Sequence, residues 1–125
     1  MKSVLVDTSI LIDFLRRTDK RIARLYKLSK IYQILAISVI SHTELYAGES
    51  AWRNKELMQN LESLLSNLTV IPLTLEISKQ AGRLRALNSL PTIDAIIAAT
   101  ALSEKLPLVT LNPKDFKRVK KLKLL

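Results

Sequence analysis

Four carboxylates in this 125-residue chain stand where they could work together: Asp7, Glu44, Asp94 and Asp115. Asp7 ends the strand-like start MKSVLVD, and Glu44 sits in the helical segment after the apolar run Ile34–Ile37. Asp94 falls in the first turn of an apolar helix, and Asp115 lies just past the run Leu108–Leu111. Gathering such groups is unfavourable by itself, because two carboxylates about 4 Å apart repel by about 4 kcal/mol at a surface-like dielectric. Proton uptake is one relief; a hard divalent cation with oxygen ligands, such as Mg2+ or Mn2+, is the other. A cation with few protein ligands keeps water, and one such water can be activated against a phosphodiester.

Each acid also has a bland reading. Asp7 could simply cap a helix, since Thr8 and Ser9 follow, and Asp94 could complement a helix dipole. Glu44 could be a surface residue and Asp115 a turn cap. All four landing by chance at the ends of separate elements is the harder explanation, so they are read as one metal pocket.

The elements that must position them follow from pattern. Ser3–Val6 reads as a buried strand, and Thr8 and Ser9 as caps of a helix from Ile10 to about Arg16. Asp19 caps a second helix to about Lys30, with Ile22 and Leu25 inward and Lys20, Arg24 and Lys27 on an exposed face. Gln33–Ile37 is a strand, and Ser38 caps the helix carrying Glu44, which Gly48 stops. Trp52 to about Ser66 is a longer helix with Leu57, Leu61, Leu64 and Leu65 as its buried stripe. Thr69–Leu73 is a short strand that Pro72 places at an edge or end. Thr74 to Asn88 forms a helix, Leu90–Pro91 breaks it, and Thr92 caps the Asp94 helix to about Glu104. Leu108–Thr110 is a strand, Asn112–Phe116 a turn or short helix, and Val119–Leu125 a last strand. Alternating helices and apolar strands predict a parallel sheet covered on both faces, with ligands bound at the carboxyl edge of the strands.

Composition narrows the function. At 14.1 kDa the chain is read as one domain with a real core. It has no cysteine, which excludes a disulfide framework and thiolate metal sites and fits a cytoplasmic protein. No stretch approaches the ~20 apolar residues of a membrane span, and Asp7 and Asp13 interrupt the N-terminal run too early for a signal peptide. The formal net charge is +9, and with four of the 11 acids in a pocket the 20 Lys and Arg dominate the remaining surface. An acidic hole in a basic surface suits an enzyme acting on a polyanion.

The segments VDTSILIDFL (6–15), SVISHTELYAG (38–48), IDAIIAATAL (93–102) and TLNPKDF (110–116) together resemble the PIN-domain ribonucleases, with the VapC-type toxins of prokaryotic toxin–antitoxin pairs as the nearest likeness. Each motif alone is weak, but the four come in the right order and spacing along nearly the whole chain. The resemblance implies a single PIN domain over residues 1–125. Its fold would be α/β, a three-layer α/β/α Rossmann-like arrangement around a parallel sheet of about five strands. It implies Mg2+ or Mn2+ as cofactor and endonucleolytic cleavage of RNA, often tRNA or ribosomal RNA loops. Position by position, Asp7, Glu44, Asp94 and Asp115 match the family's catalytic acids. Asp7 and Asp94 would bind the metal most directly, Glu44 would orient or deprotonate the attacking water, and Asp115 would act directly or through water. Thr8, Ser9 and Asn112 are the supporting candidates. Some relatives carry an acid where this chain has Asn112, so Asp115 must reach back into the pocket; LNSLPTID before Asp94 also lacks the family's glycine. The resemblance further implies a homodimer, with candidate surfaces near Leu28–Tyr32 and Trp52–Leu65. A cognate VapB-type antitoxin would block the acids, typically with an Arg.

Other features carry less. His42, the one histidine, is about 200° round a helix from Glu44, and without a second histidine or a cysteine zinc does not suit. Asp13 reads as a surface helix residue. VDTSI has Ser9 where a phosphoaspartate phosphatase would carry a second aspartate. The basic runs Arg16–Lys30 and Lys114–Lys123 are either solvated faces or RNA contacts, with Arg16, Arg17, Lys20, Arg24, Lys114 and Lys117 as candidates. Sparse aromatics favour backbone and shape recognition of folded RNA over base stacking. The rival readings are a catalytically silent RNA- or protein-binding module and a DNA-directed nuclease.

Overall fold

The computed structural model describes residues 2–125. Four parallel strands form one sheet in the order β3-β2-β1-β4: β1 (Ser3–Val6), β2 (Ile34–Ser38), β3 (Thr69–Ile71) and β4 (Leu108–Val109). Leu5 stands beside Ala36 on one side and Leu108 on the other, so β1 is central, as its unbroken apolar sequence demands. β3 is the edge strand expected from Pro72. The expected fifth strand, Val119–Leu125, is reduced to a single parallel bridge of Leu124 with Leu108. Lysines at 120, 121 and 123 leave too few apolar side chains there to cover a full strand.

Side chains along the strands alternate between two cores, which makes the architecture α/β/α. Leu5, Ala36 and Leu108 face a core built with Ile77, Ala81 and Leu84 of α6 (Leu75–Asn88), with α7 (Thr92–Glu104), and with Phe116, Val119 and Leu122. Val4, Val6, Ile37 and Val109 face a second core against α1 (Thr8–Arg16), α2 (Arg24–Ser29), α3 (Val39–Tyr46) and α5 (Lys55–Leu65). The alanines of α7 bring its backbone close to the sheet; Ala98, Ala99 and Ala101 are fully buried.

Several local expectations change. Asp7, not Thr8 or Ser9, is the cap of α1, and Pro91 rather than Thr92 precedes the first turn of α7. The second expected helix splits at Ala23 into a 3-10 turn (Lys20–Ile22) and α2, which leaves Ile22 exposed rather than inward. The long Trp52–Ser66 helix breaks at Asn54 into α4 (Glu49–Arg53) and α5, because the Asn54 side chain accepts from Leu57 N at 3.1 Å and starts a new helix. Leu57, in the first turn of α5, is 44% exposed, while Leu61 and Leu64 are buried. Gly48 comes just after α3 and begins α4. Leu28 is a core residue, so Ile31 is the exposed aliphatic side chain of the Leu28–Tyr32 surface; Trp52 and Leu57 are exposed in the other.

Candidate functional site

The chain runs from β1 through β2 to β3 on one side of the sheet and returns to place β4 on the other side of β1. The crevice at the carboxyl ends of β1 and β4 is therefore the topological switch point, where open sheets of this kind bind ligands. Asp7 stands at its centre. Its backbone continues the β1–β4 ladder, donating from N to Val109 O at 3.1 Å, which brings it beside Thr110.

Three donors fix the buried Asp7 carboxylate. Oδ1 accepts from Ser9 N at 3.1 Å and from Ser9 Oγ at 2.5 Å, and Oδ2 accepts from Thr110 Oγ1 at 2.5 Å. Both hydroxyls are themselves held by the loop after β4. Leu111 N donates to Ser9 Oγ and Asn112 N to Thr110 Oγ1, each at 3.0 Å. Asp7 is thus both a helix cap and a carboxylate locked by two relays; the bland reading and the functional one describe the same geometry.

Glu44 reaches the site from the side of α3. The buried Thr8 hydroxyl donates to Glu44 Oε1 at 2.5 Å, and Thr8 Oγ1 lies 3.0 Å from the fully buried Ser41 Oγ. A hydroxyl has one proton, so Ser41 donates to Thr8 when Thr8 donates to Glu44. Ser41 and Glu44 are three apart on one helix face, which is why one threonine can meet both.

Asp94 sits in the first turn of α7, half buried. Its carboxyl is raised above the usual aspartate range, first by burial and then by the negative charges of Asp115, Asp7 and Glu44. Each of the other three acids is thus within electrostatic reach of Asp94. Among the described residues no hydrogen-bond donor or cation satisfies the Asp94 carboxylate. Asp115 opens the 3-10 turn Phe116–Arg118 and pairs with Arg118 at 3.3 Å.

The donor set is all oxygen, which suits a hard cation. No three Asp, Glu, His or Cys side chains close into a cage among the described residues.

Of the supporting candidates, Thr8 and Ser9 engage the acids through their hydroxyls, and Asn112 contributes its backbone N–H. Thr110 and Ser41 were missed by sequence reading. Their signal is position alone: a hydroxyl one residue past a strand, and one a helical turn before an acid. His42 packs its ring on Tyr46 at 4.9 Å, and Asp13 pairs with Arg17 at 3.1 Å. Lys20 turns back to cap α1, donating to Phe14 O and Leu15 O, so it is engaged within the chain. Arg16, Arg24, Lys114 and Lys117 are exposed. An apolar groove lined by Ile12, Leu15, Leu45 and Leu61 opens beside Glu44, with Arg16 at its rim.

A model of the PIN domain matches residues 4–122. Among solved structures, a toxin–antitoxin complex from Klebsiella pneumoniae is 30% identical, with 95% of this chain and 94% of that chain covered and a TM-score of 0.76. VapBC2 from Rickettsia felis, bound to a DNA fragment from its promoter, is 26% identical over 98% of this chain and 97% of that one, with a TM-score of 0.81. DNA-bound VapBC from Salmonella typhimurium has a TM-score of 0.82 at 23% identity, with 100% and 98% of the two chains covered, and shows the shared fold. No curated protein matches the chain.

Proposed function

The chain belongs to the PIN-domain family, whose members are nucleases, and from that premise we propose that it is a metal-dependent endoribonuclease acting as the toxin of a VapBC-type pair. The observation that carries the proposal is Asp94: a half-buried carboxylate, raised first by burial and then by three further acids, with no ion-pair partner among the described residues. A group so placed is a costly arrangement for a scaffold and a useful one for a cation site.

Asp7 and Asp94 would hold the cation, Mg2+ or Mn2+, and Glu44 and Asp115 would act directly or through water. When bound, the cation polarises the scissile phosphate and lowers the pKa of a water. The chain's own part is to orient and to exclude alternatives. Ser9 and Thr110 fix the two oxygens of Asp7, and Thr8 fixes one oxygen of Glu44, leaving the other to accept a proton from the attacking water. Residues 1–125 form a single PIN domain in this reading. RNA backbone contacts come from the exposed Arg16, Arg17, Arg24, Lys114 and Lys117.

A VapB-type antitoxin is the partner, and the groove beside Glu44 offers its chain an apolar seat next to the acids. The domain works as a homodimer in the cytoplasm. No described helix is long and apolar enough to cross a membrane.

Matched RNA and DNA oligonucleotides of one sequence, incubated with Mn2+ and then with excess EDTA, test the substrate class. The expected result is cleavage of RNA alone and only with metal. Preferential DNA cleavage would replace the ribonuclease by a DNA-directed nuclease, and intact substrates bound without cleavage would favour a silent module.

A further inference from the structure

Arg118 joins two of the elements that carry acids. Its Nη2 lies 3.3 Å from Asp115 Oδ1, and its Nη1 donates to Ser89 O at 3.0 Å. The Asn88 side-chain amide in turn donates to Arg118 O at 3.1 Å. Ser89 is the left-handed residue, φ 57°, that ends α6, and Leu90–Pro91 leads from it directly to the first turn of α7 with Asp94. One planar guanidinium therefore reaches the fourth acid on one side and the turn that launches the third acid on the other. An i,i+3 surface ion pair alone is of little consequence. The second contact, made to a residue 29 positions away, is what sets this one apart.

We infer that Arg118 is a positioning residue and a built-in counter-charge for the site: it seats Asp115 against the α6–α7 turn and holds the carboxylate that a divalent cation would otherwise draw in. The inference rests on the metal-nuclease reading above and adds to it a division of labour. Charge and geometry are separable here, because a fixed positive group paired with Asp115 opposes a second cation at that carboxylate, whereas the fork reaching both Asp115 and Ser89 O sets their spacing. Lysine can supply the first and not the second.

The test uses the full chain, with Mn2+ alone as the binding probe and a structured RNA pool for cleavage. Arg118→Met is expected to bind Mn2+ about threefold to tenfold more tightly, since a like charge has left the site. Its cleavage rate at saturating RNA should fall about tenfold with KM unchanged, since the support of an acid has gone. Arg118→Lys should return Mn2+ affinity to the wild-type value and leave the rate low. Unchanged or weaker Mn2+ binding in Arg118→Met overturns the counter-charge, and full recovery of rate by lysine overturns the positioning role. Should Arg118→Met lose its fold by circular dichroism, Arg118→Lys decides alone: a low rate at wild-type Mn2+ affinity supports the role, and a wild-type rate overturns it. A wild-type chain that binds no Mn2+ would overturn the metal site and this inference together, a result distinct from binding that the variants leave unmoved.

Discussion

Thr110 Oγ1 donates to Asp7 Oδ2 across 2.5 Å, joining residues 103 positions apart at the meeting of β1 and β4. With Ser9 on the other oxygen, it leaves the Asp7 carboxylate a single orientation towards the crevice.

Removing that hydroxyl without changing side-chain shape should therefore matter. Thr110→Val is expected to lower RNA cleavage about 10- to 100-fold, the usual effect of losing a partner that orients a metal ligand. Thr110→Ser should retain most of the activity. Rates measured on the same RNA decide, and a valine variant as active as wild type would remove Thr110 from the site.

The four acids should make the cation-free protein pH-sensitive in a particular direction. Asp94 is raised above its unfolded value of 3.8, so between 3.8 and its folded value the native state binds the extra proton. Stability from this group is then lost as pH rises through that window, and the penalty stays constant above it. Asp94→Asn should melt higher than wild type in EDTA at pH 7, with the gap closing as pH falls towards 3.8. Excess Mn2+ should reverse the order, because binding the native state stabilises it by about 2.7 kcal/mol at 100 times Kd and the variant has lost a ligand. Melting curves of both proteins at several pH values test this, and a gap independent of pH would contradict it.

The uneven burial of the α5 leucines makes a stability prediction. Leu61 is buried and Leu57 is 44% exposed. Leu61→Ala should cost about 2–5 kcal/mol through the cavity it leaves. Leu57→Ala should stay within about 0.5 kcal/mol. Urea unfolding of the two variants tests this, and equal costs would mean that Leu57 is buried with Leu61.

Asp7, Asp94 and Asp115 were legible because each lies at or just beyond the end of an element whose apolar pattern is unmistakable: VLVD, DAIIAATAL, and the run before NPKD. The alternation of strands and helices likewise fixed a parallel sheet, and with it a carboxyl edge. Other features depended on contacts that no local pattern records. Thr110 gains its role only because β4 pairs with β1, and Arg118 because its turn meets the end of α6. The start of α5 was readable in principle, since Asn54 is a good N-cap residue, but a leucine stripe at helical spacing hid it. The last strand shrank to one bridge because KLKLL alternates with lysine, and alternation cannot say whether a neighbour is there to receive it.

The most direct measurement compares wild type with Asp94→Asn on a pool of structured RNAs, in Mg2+, in Mn2+ and in excess EDTA. The expected result is cleavage by wild type with either metal, none in EDTA, and a loss of at least about 100-fold in the variant with its circular dichroism unchanged. Equal cleavage by both proteins would contradict the assignment of the acids as the site of a metal-dependent ribonuclease.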